Sequence, residues 1–232
     1  MKNKHKIISI IPARSGSVGL KDKNIKKINN IHLIGYSILC SIKSKLISNT
    51  FVSTNSDKYI NIAQKYGAET PFKRPLKYSK SNSNDYDLIS HAINFFDNIN
   101  FDFDYIVFLR PTTPKRNVNI INKAISKFVK SNYDSLRSVH EMSESSFKSF
   151  RKNKETLLPL IKNYKDFDLV NNPRQSFEKT FVGNGYIDIF RRNYVKKYKK
   201  LYGKNVMAFE TNYVTEVDNI NDFNYLKFLM EK

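Results

Sequence analysis

The chain has 232 residues, one cysteine and a formal charge of +19, from 40 Lys and Arg against 21 Asp and Glu. That length suits a single α/β domain over residues 1–232, which can bury about 70% of its unfolded surface without covalent staples. Cys40 alone excludes an intramolecular disulfide and fits a reducing compartment.

The first apolar run is short and ends at Pro12. It reads neither as a signal peptide nor as a membrane span, so the expected location is the cytoplasm with no membrane partner. The cations are mostly lysines spread along the chain. Base readout favours arginine, so no nucleic-acid partner is expected. The densest cluster, Arg191 to Lys200, reads as the solvated face of a helix.

In chain order, Ile7 to Pro12 is an apolar run of strand length that feeds a loop of small residues and cations, Ala13 to Asn24. Ile34, Ile38, Ile42 and Leu46 recur at helical spacing and predict a helix over 34–45. Residues 51–55 read as a second strand, and 58–66 as a helix stopped by Gly67. Residues 71–84, with Pro71 and Pro75, read as irregular. Residues 85–97 are helical again, with Leu88, Ala92, Ile93 and Phe96 on one face. A near-continuous apolar strand over 104–109 runs into Arg110-Pro111-Thr112-Thr113-Pro114. An amphipathic helix at 117–131 and a strand at 134–140 follow. Strands alternating with helices predict a parallel, doubly wound sheet.

The alternation breaks between Glu141 and Phe181. That stretch is too long for a simple loop in a compact domain. It reads as an inserted arm, about residues 141–182, built for oligomer contact. Strands at 185–190 and 205–210 resume the pattern, and 221–231 reads as a closing helix with Phe223 and Leu226 inward.

Ligands of an open parallel sheet sit at the carboxyl ends of its strands. The candidates are therefore the polar residues just after the apolar runs: Arg14 to Asn24, then Ser53 and Thr54, then Arg110 to Thr112. Asn184, Arg174 with Gln175, and Glu216 with Asp218 join them. In the first loop, small residues let backbone N–H groups approach a phosphate, with Arg14, Lys21 and Lys23 as counter-charge. A solvated turn is the plain alternative. The loop fits neither Gly-x-x-x-x-Gly-Lys-Ser/Thr nor Gly-x-Gly-x-x-Gly.

Glu216 and Asp218 stand two apart, so extended backbone puts both carboxylates on one face. Paired hard oxygens suit Mg²⁺ together with substrate phosphates. The alternative is a surface turn with Asp222 capping the last helix. The four histidines lack partners at metal-ligand or catalytic spacing, no Gly-x-Ser-x-Gly is present, and Cys40 falls mid-helix among apolar residues. Covalent nucleophilic catalysis is disfavoured on these grounds. What remains suits phosphoryl or nucleotidyl transfer by positioning and charge neutralisation.

The ordered motifs are Pro12-Ala13-Arg14-Ser15-Gly16-Ser17 with Gly19-Leu20 and Lys23-Asn24, then Val52-Ser53-Thr54, then Leu109-Arg110-Pro111-Thr112-Thr113-Pro114. Arg174-Gln175 and Asn184-Gly185-Tyr186-Ile187 follow. Together this order resembles the acylneuraminate cytidylyltransferases, the CMP-sialic acid synthetases and their legionaminate and pseudaminate relatives. The resemblance covers nearly the whole chain. It implies a Rossmann-like fold, a homodimer with an exchanged arm, and Mg²⁺-dependent use of CTP to make CMP-activated acidic sugars and pyrophosphate.

The resemblance also implies site roles. Ala13, Arg14, Ser15, Gly19, Lys23, Asn24, Ser53 and Thr54 would bind the nucleotide, with Arg14, Lys23 and Asp218 catalytic. Glu216 and Asp218 would hold the metal, and Arg110, Thr112, Arg174, Gln175 and Asn184 would meet the sugar. Val182 offers no hydrogen bond where many sialate enzymes have an arginine, which implies a sugar with a more apolar substituent, such as legionaminate. The rival readings are a related nucleotidyltransferase for another sugar and a nucleotide-sugar-binding protein without catalysis.

Overall fold

The computed structural model describes residues 5–161 and 166–231; the start of the chain and part of the expected arm, at 162–165, lie outside the described residues. β1 (Ile7–Pro12) leads into the cationic loop, which ends in a tiny hairpin of β2 (Lys27–Ile28) and β3 (Ile31–His32). Then come α1 (Leu33–Ile42), β4 (Asn49–Ser53), α2 (Asp57–Lys65), α3 (Asp85–Asn98), β5 (Tyr105–Phe108), α4 (Val118–Val129) and β6 (Ser135–Glu141). The arm carries a hairpin, β7 (Phe150–Asn153) with β8 (Thr156–Pro159), and a single helical turn, α5 (Phe167–Val170). β9 (Phe181–Arg191), α6 (Arg192–Tyr198), β10 (Val206–Glu210) and α7 (Ile220–Glu231) complete the chain.

Six strands form one sheet in the order β10-β6-β9-β5-β1-β4. β1 runs parallel to β4 and β5, and β10 parallel to β6. β9 alone is antiparallel to both of its neighbours. The sheet is therefore doubly wound and mostly parallel, as the alternation predicts. β1 reads as apolar on both faces, Ser9 apart, because helices cover both of them. Ile8 and Ile10 point to one layer, with Phe51, Ile106 and Phe108, under Leu88, Ala92 and Phe96 of α3. Ile7 and Ile11 point to the other, with Val52 and Val107, under α1 and α4. Ser9 is a buried polar residue within β1, and its hydroxyl meets that of Ser41 at 2.6 Å.

Several boundaries move. The first helix ends at Ile42 rather than at residue 45, because the chain turns at Lys43 to start β4. The β2–β3 hairpin is absent from the periodicity reading; two residues per strand carry no period. Its turn is Asn29-Asn30, both at positive φ (48° and 61°), the pair of left-handed residues that a tight hairpin turn requires. The expected strand at 185–190 reaches back to Phe181, where β9 pairs with the end of β6. The basic cluster does form a helix, α6, but Arg192 is not on a solvated face. Its guanidinium is ion-paired with Asp97 and Asp102, and Lys196 Nζ lies 2.7 Å from Asp97.

The carboxyl ends of the central strands are tied together by one side chain. Arg116 donates to the carbonyls of Tyr186 (2.7 Å), Arg110 (2.8 Å) and Gly185 (3.0 Å), and to Ser37 Oγ (2.9 Å). All four acceptors are neutral, and burial pushes the Arg116 guanidinium down to about 10. Arg116→Met should keep much of the volume but strand these acceptors. A loss of about 3 kcal/mol or more is expected, at the scale of buried groups left unsatisfied. Denaturant titration checks this; a midpoint equal to wild type rejects the role.

Candidate active site

A cleft of about 470 Å³ opens at the carboxyl ends of β1 and β5. Its walls come from distant parts of the chain. The loop after β1 contributes Arg14, Gly19, Lys23 and Asn24; the stretch before α3 contributes Arg74 and Tyr78, and the first residue of α3 contributes Asp85. Arg110 and Thr112 come from the loop after β5, and Glu216 and Asp218 from the strap before α7.

The first loop is shaped from within. Asn24 is buried, and its amide donates to the Arg14 carbonyl at 3.0 Å. Asn55 grips Ser15 twice, accepting from its N–H at 2.9 Å and donating to its hydroxyl at 2.8 Å. Gly19 passes so close to the strap that a Cβ there would lie 2.5 Å from the Asp218 carbonyl oxygen, so only glycine fits. Lys23 Nζ donates to Asp218 Oδ1 at 3.0 Å.

The strap is extended and alternates. Val217 is fully buried with Leu20, Ile28, Leu33 and Leu226, and its N–H donates to the Thr112 carbonyl at 2.8 Å. Its neighbours Glu216 and Asp218 face the cleft, the arrangement that their spacing predicts. Thr112 Oγ1 donates to Glu216 Oε1 at 3.0 Å. Asp222 also serves the helix start, accepting from the N–H groups of Asp218 (2.9 Å) and Asn219 (3.0 Å). Asn219 Oδ1 accepts in return from Asp222 N at 3.1 Å, a reciprocal capping box that fixes the strap. Among the described residues no group of three His, Cys, Asp or Glu side chains could hold a metal ion. The acidic pair is therefore the candidate: it offers carboxylate oxygens, each residue spending one on a neighbour.

Two arginines complete the cleft. Arg110 is clamped by Asp188, whose side chain is 2% exposed, and by Asp85 at 2.6 Å. Burial opposes its charge, but the two carboxylates outweigh burial and raise its pKa. Arg74 is 4% exposed, and its Nε and Nη2 have no hydrogen-bond partner among the described residues. Burial, with Arg14 nearby, lowers its pKa to about 10.

Not every expected residue reaches this cleft. Ala13, Ser53 and Thr54 are fully buried where β1 meets β4, and Ala13 N–H donates to the Ser53 carbonyl at 2.9 Å. Ser15 is turned to Asn55. Asn184 is buried, with its amide donating to Thr211 Oγ1 at 2.7 Å. Arg174 and Gln175 line a separate depression on the arm, where Arg174 Nη2 donates to Glu141 Oε1 at 2.7 Å. Conversely, Arg74, Tyr78 and Asp85 were not among the candidates. They sit on or beside an aperiodic stretch, and only the fold shows where it lies. Asn84 caps the start of α3, its side chain accepting from Asp87 N at 2.9 Å.

Among the described residues no helix is long and apolar enough to cross a membrane. A family model for cytidylyltransferases matches residues 8–225. The CMP-N,N'-diacetyllegionaminic acid synthase of Campylobacter jejuni is 31% identical, over 97% of this chain and 94% of that protein. The post-translational flagellin modification protein B of Campylobacter coli is 29% identical, over 97% and 95%. Among solved structures, a CMP:2-keto-3-deoxy-manno-octonic acid synthetase complexed with CTP superposes with a TM-score of 0.72 at 16% identity, covering 97% of this chain and 98% of that one. That likeness is one of fold. The family match spans the loop after β1, the strand ends around the cleft and the acidic strap, so this chain belongs to the cytidylyltransferase family and is a nucleotidyltransferase.

Proposed function

We propose that this protein joins the CMP moiety of CTP to the anomeric hydroxyl of a nonulosonic acid and releases pyrophosphate. One observation carries the reading: a cleft at the strand ends sets Arg14, Lys23 and Arg74 against the paired carboxylates of Glu216 and Asp218. The similar proteins from Campylobacter, one named for legionaminate and another for pseudaminate, support a nonulosonic acid as the acceptor. The buried free thiol of Cys40 fits a cytoplasmic setting.

The chain's own groups divide the work. Arg14 and Lys23 lie on the loop wall and meet triphosphate oxygens, where they stabilise the charge that grows as pyrophosphate leaves. Lys23 is bonded to Asp218 and would exchange that carboxylate for a phosphate oxygen as CTP binds. Thr112 steadies Glu216, and the capping box steadies Asp218. Two carboxylates suit Mg²⁺, which takes one or two from protein and further ligands from phosphates and water. Bound there, Mg²⁺ supplies charge neutralisation and makes the attacking hydroxyl more acidic.

The arm belongs to the same reading. Phe150, Leu157, Leu158, Phe167, Leu169 and Phe181 are each between 41% and 48% exposed, all on the arm or at its junction with β9. Large apolar side chains exposed together on one inserted segment are the composition of an interface, and Phe150 and Phe167 already stack there. We read it as the contact of a two-fold dimer, in which Arg174 and Gln175 of one protomer reach the partner's cleft and grip the sugar's carboxylate.

The test is pyrophosphate release from CTP with N-acetylneuraminate, N,N'-diacetyllegionaminate and pseudaminate as acceptors. Nucleotide binding without release for any acid would leave a binding protein instead. Asp218→Asn should abolish divalent-dependent turnover with an unchanged melting curve, and full wild-type activity in excess chelator would reject the metal role. Lys23→Ala should raise the barrier by about 3 kcal/mol, the scale of a lost charge-stabilising donor; steady-state kinetics close to wild type would remove Lys23 from the mechanism. Light scattering should give the mass of a dimer. Arg174→Lys keeps the charge but not the bidentate fork, so kcat/KM for the acid should fall about tenfold; an unimpaired variant would refute the grip on the carboxylate.

A further inference from the structure

The cleft contains one carboxylate that the reaction scheme does not use. Arg110 has two acidic partners, yet one suffices to neutralise it. Asp188, almost wholly enclosed on β9, is that partner. Asp85 is the second, and its side chain is 42% exposed and lines the cleft. Asp85 stands in the first turn of α3, but it does not cap the helix; Asn84 does, accepting from Asp87 N at 2.9 Å. One Asp85 oxygen accepts from Arg110 Nη2 at 2.6 Å. Its other oxygen accepts no protein hydrogen bond among the described residues.

The sign of this group decides what it can meet. A carboxylate repels both the triphosphate and the acid function of a sugar. It attracts a hydroxyl or an amide N–H, and ionised acceptors make the stronger hydrogen bonds. Arg110 also fixes the side of the cleft on which this happens. A Cβ on Gly185 would lie 3.5 Å from Arg110 Cδ and 3.6 Å from Glu216 Oε1, so the Arg110 stem and Glu216 flank one glycine. That is the metal-pair side, where the reading above puts the attacking hydroxyl.

We propose that Asp85 is a specificity-determining residue: its free oxygen accepts a hydrogen bond from a hydroxyl or amide N–H of the sugar acid and turns the sugar's own carboxylate away. The proposal rests on the CTP-dependent reading of the cleft. Arg110 holds Asp85 in place, and Asp188 keeps Arg110 in place without it.

The experiment uses the full chain and Asp85→Asn, with CTP and the three acids named above. Asparagine keeps the shape and leaves Arg110 paired with Asp188. KM for the accepted acid should rise about tenfold, the effect of a lost charged hydrogen bond, while KM for CTP and the melting temperature hold. A second arm uses analogues of that acid, each lacking one hydroxyl or one acyl-amide. Wild type should lose about tenfold on one analogue, and Asp85→Asn should not distinguish it from the parent acid. An unchanged KM for the acid overturns the proposal. So does a rise confined to CTP, which would assign Asp85 to the nucleotide, or a loss on all substrates with a lower melting temperature, which would make it structural. A wild type inactive on every acid overturns the preceding reading and this one with it; an active wild type matched by Asp85→Asn overturns this one alone.

Discussion

A parallel sheet that binds ligands at its strand ends must leave backbone carbonyls there, and something has to hold them. Here it is the Arg116 fork. Its donors meet carbonyls from the loop after β5 and from β9, and a hydroxyl from α1. A lysine could not span them, because its donors radiate from one atom rather than from a plane. Among the described residues no carboxylate pairs with Arg116, so its positive charge is not cancelled by an ion pair. Burial disfavours that charge, and Cys40, Tyr186 and then Glu216 partly offset the cost. Arg116 lies behind the cleft lining, so the cleft's own positive charge comes from the residues in front of it.

The rim then adds charge with restraint. Arg14, Lys23 and Arg74 face the space, while Asp188 neutralises Arg110 from inside the fold. Arg74 is the costly member. Burying a guanidinium with two unpartnered nitrogens opposes folding, and the depressed pKa records that cost. A group kept under such strain is what a site for anions needs, because a bound phosphate relieves it.

How much of this was legible in the sequence depended on how local each signal was. The loop after β1 could be read because a buried strand, small residues and cations are consecutive. The acidic strap could be read because alternation is a two-residue rule, and the buried Val217 between its carboxylates obeys it. Arg74 and Asp85 could not: Arg74 sits in the aperiodic stretch at 71–84 and Asp85 at its junction with α3, where no period says what a side chain faces. Ser53, Thr54 and Asn184 were misleading for the opposite reason. They follow or precede apolar runs, but strand pairing at those ends encloses them. The solvated reading of the basic cluster failed at Arg192, whose acidic partners on and after α3 are about ninety positions away in sequence, too far for any window to see.

The bond between Lys23 and Asp218 joins positions 195 residues apart. During synthesis the cationic loop leaves the ribosome long before the acidic strap, by about ten to forty seconds at ordinary elongation rates. For that interval Lys23 has no Asp218, Gly19 has nothing to close against, and the hydrophobic cluster that seats Val217 lacks Leu226. The sheet can form first, from strands that need none of the strap. The site is therefore completed only after the strands that carry it: a chain not yet extended to the strap has the scaffold and part of the positive wall, and lacks the acidic wall that faces it.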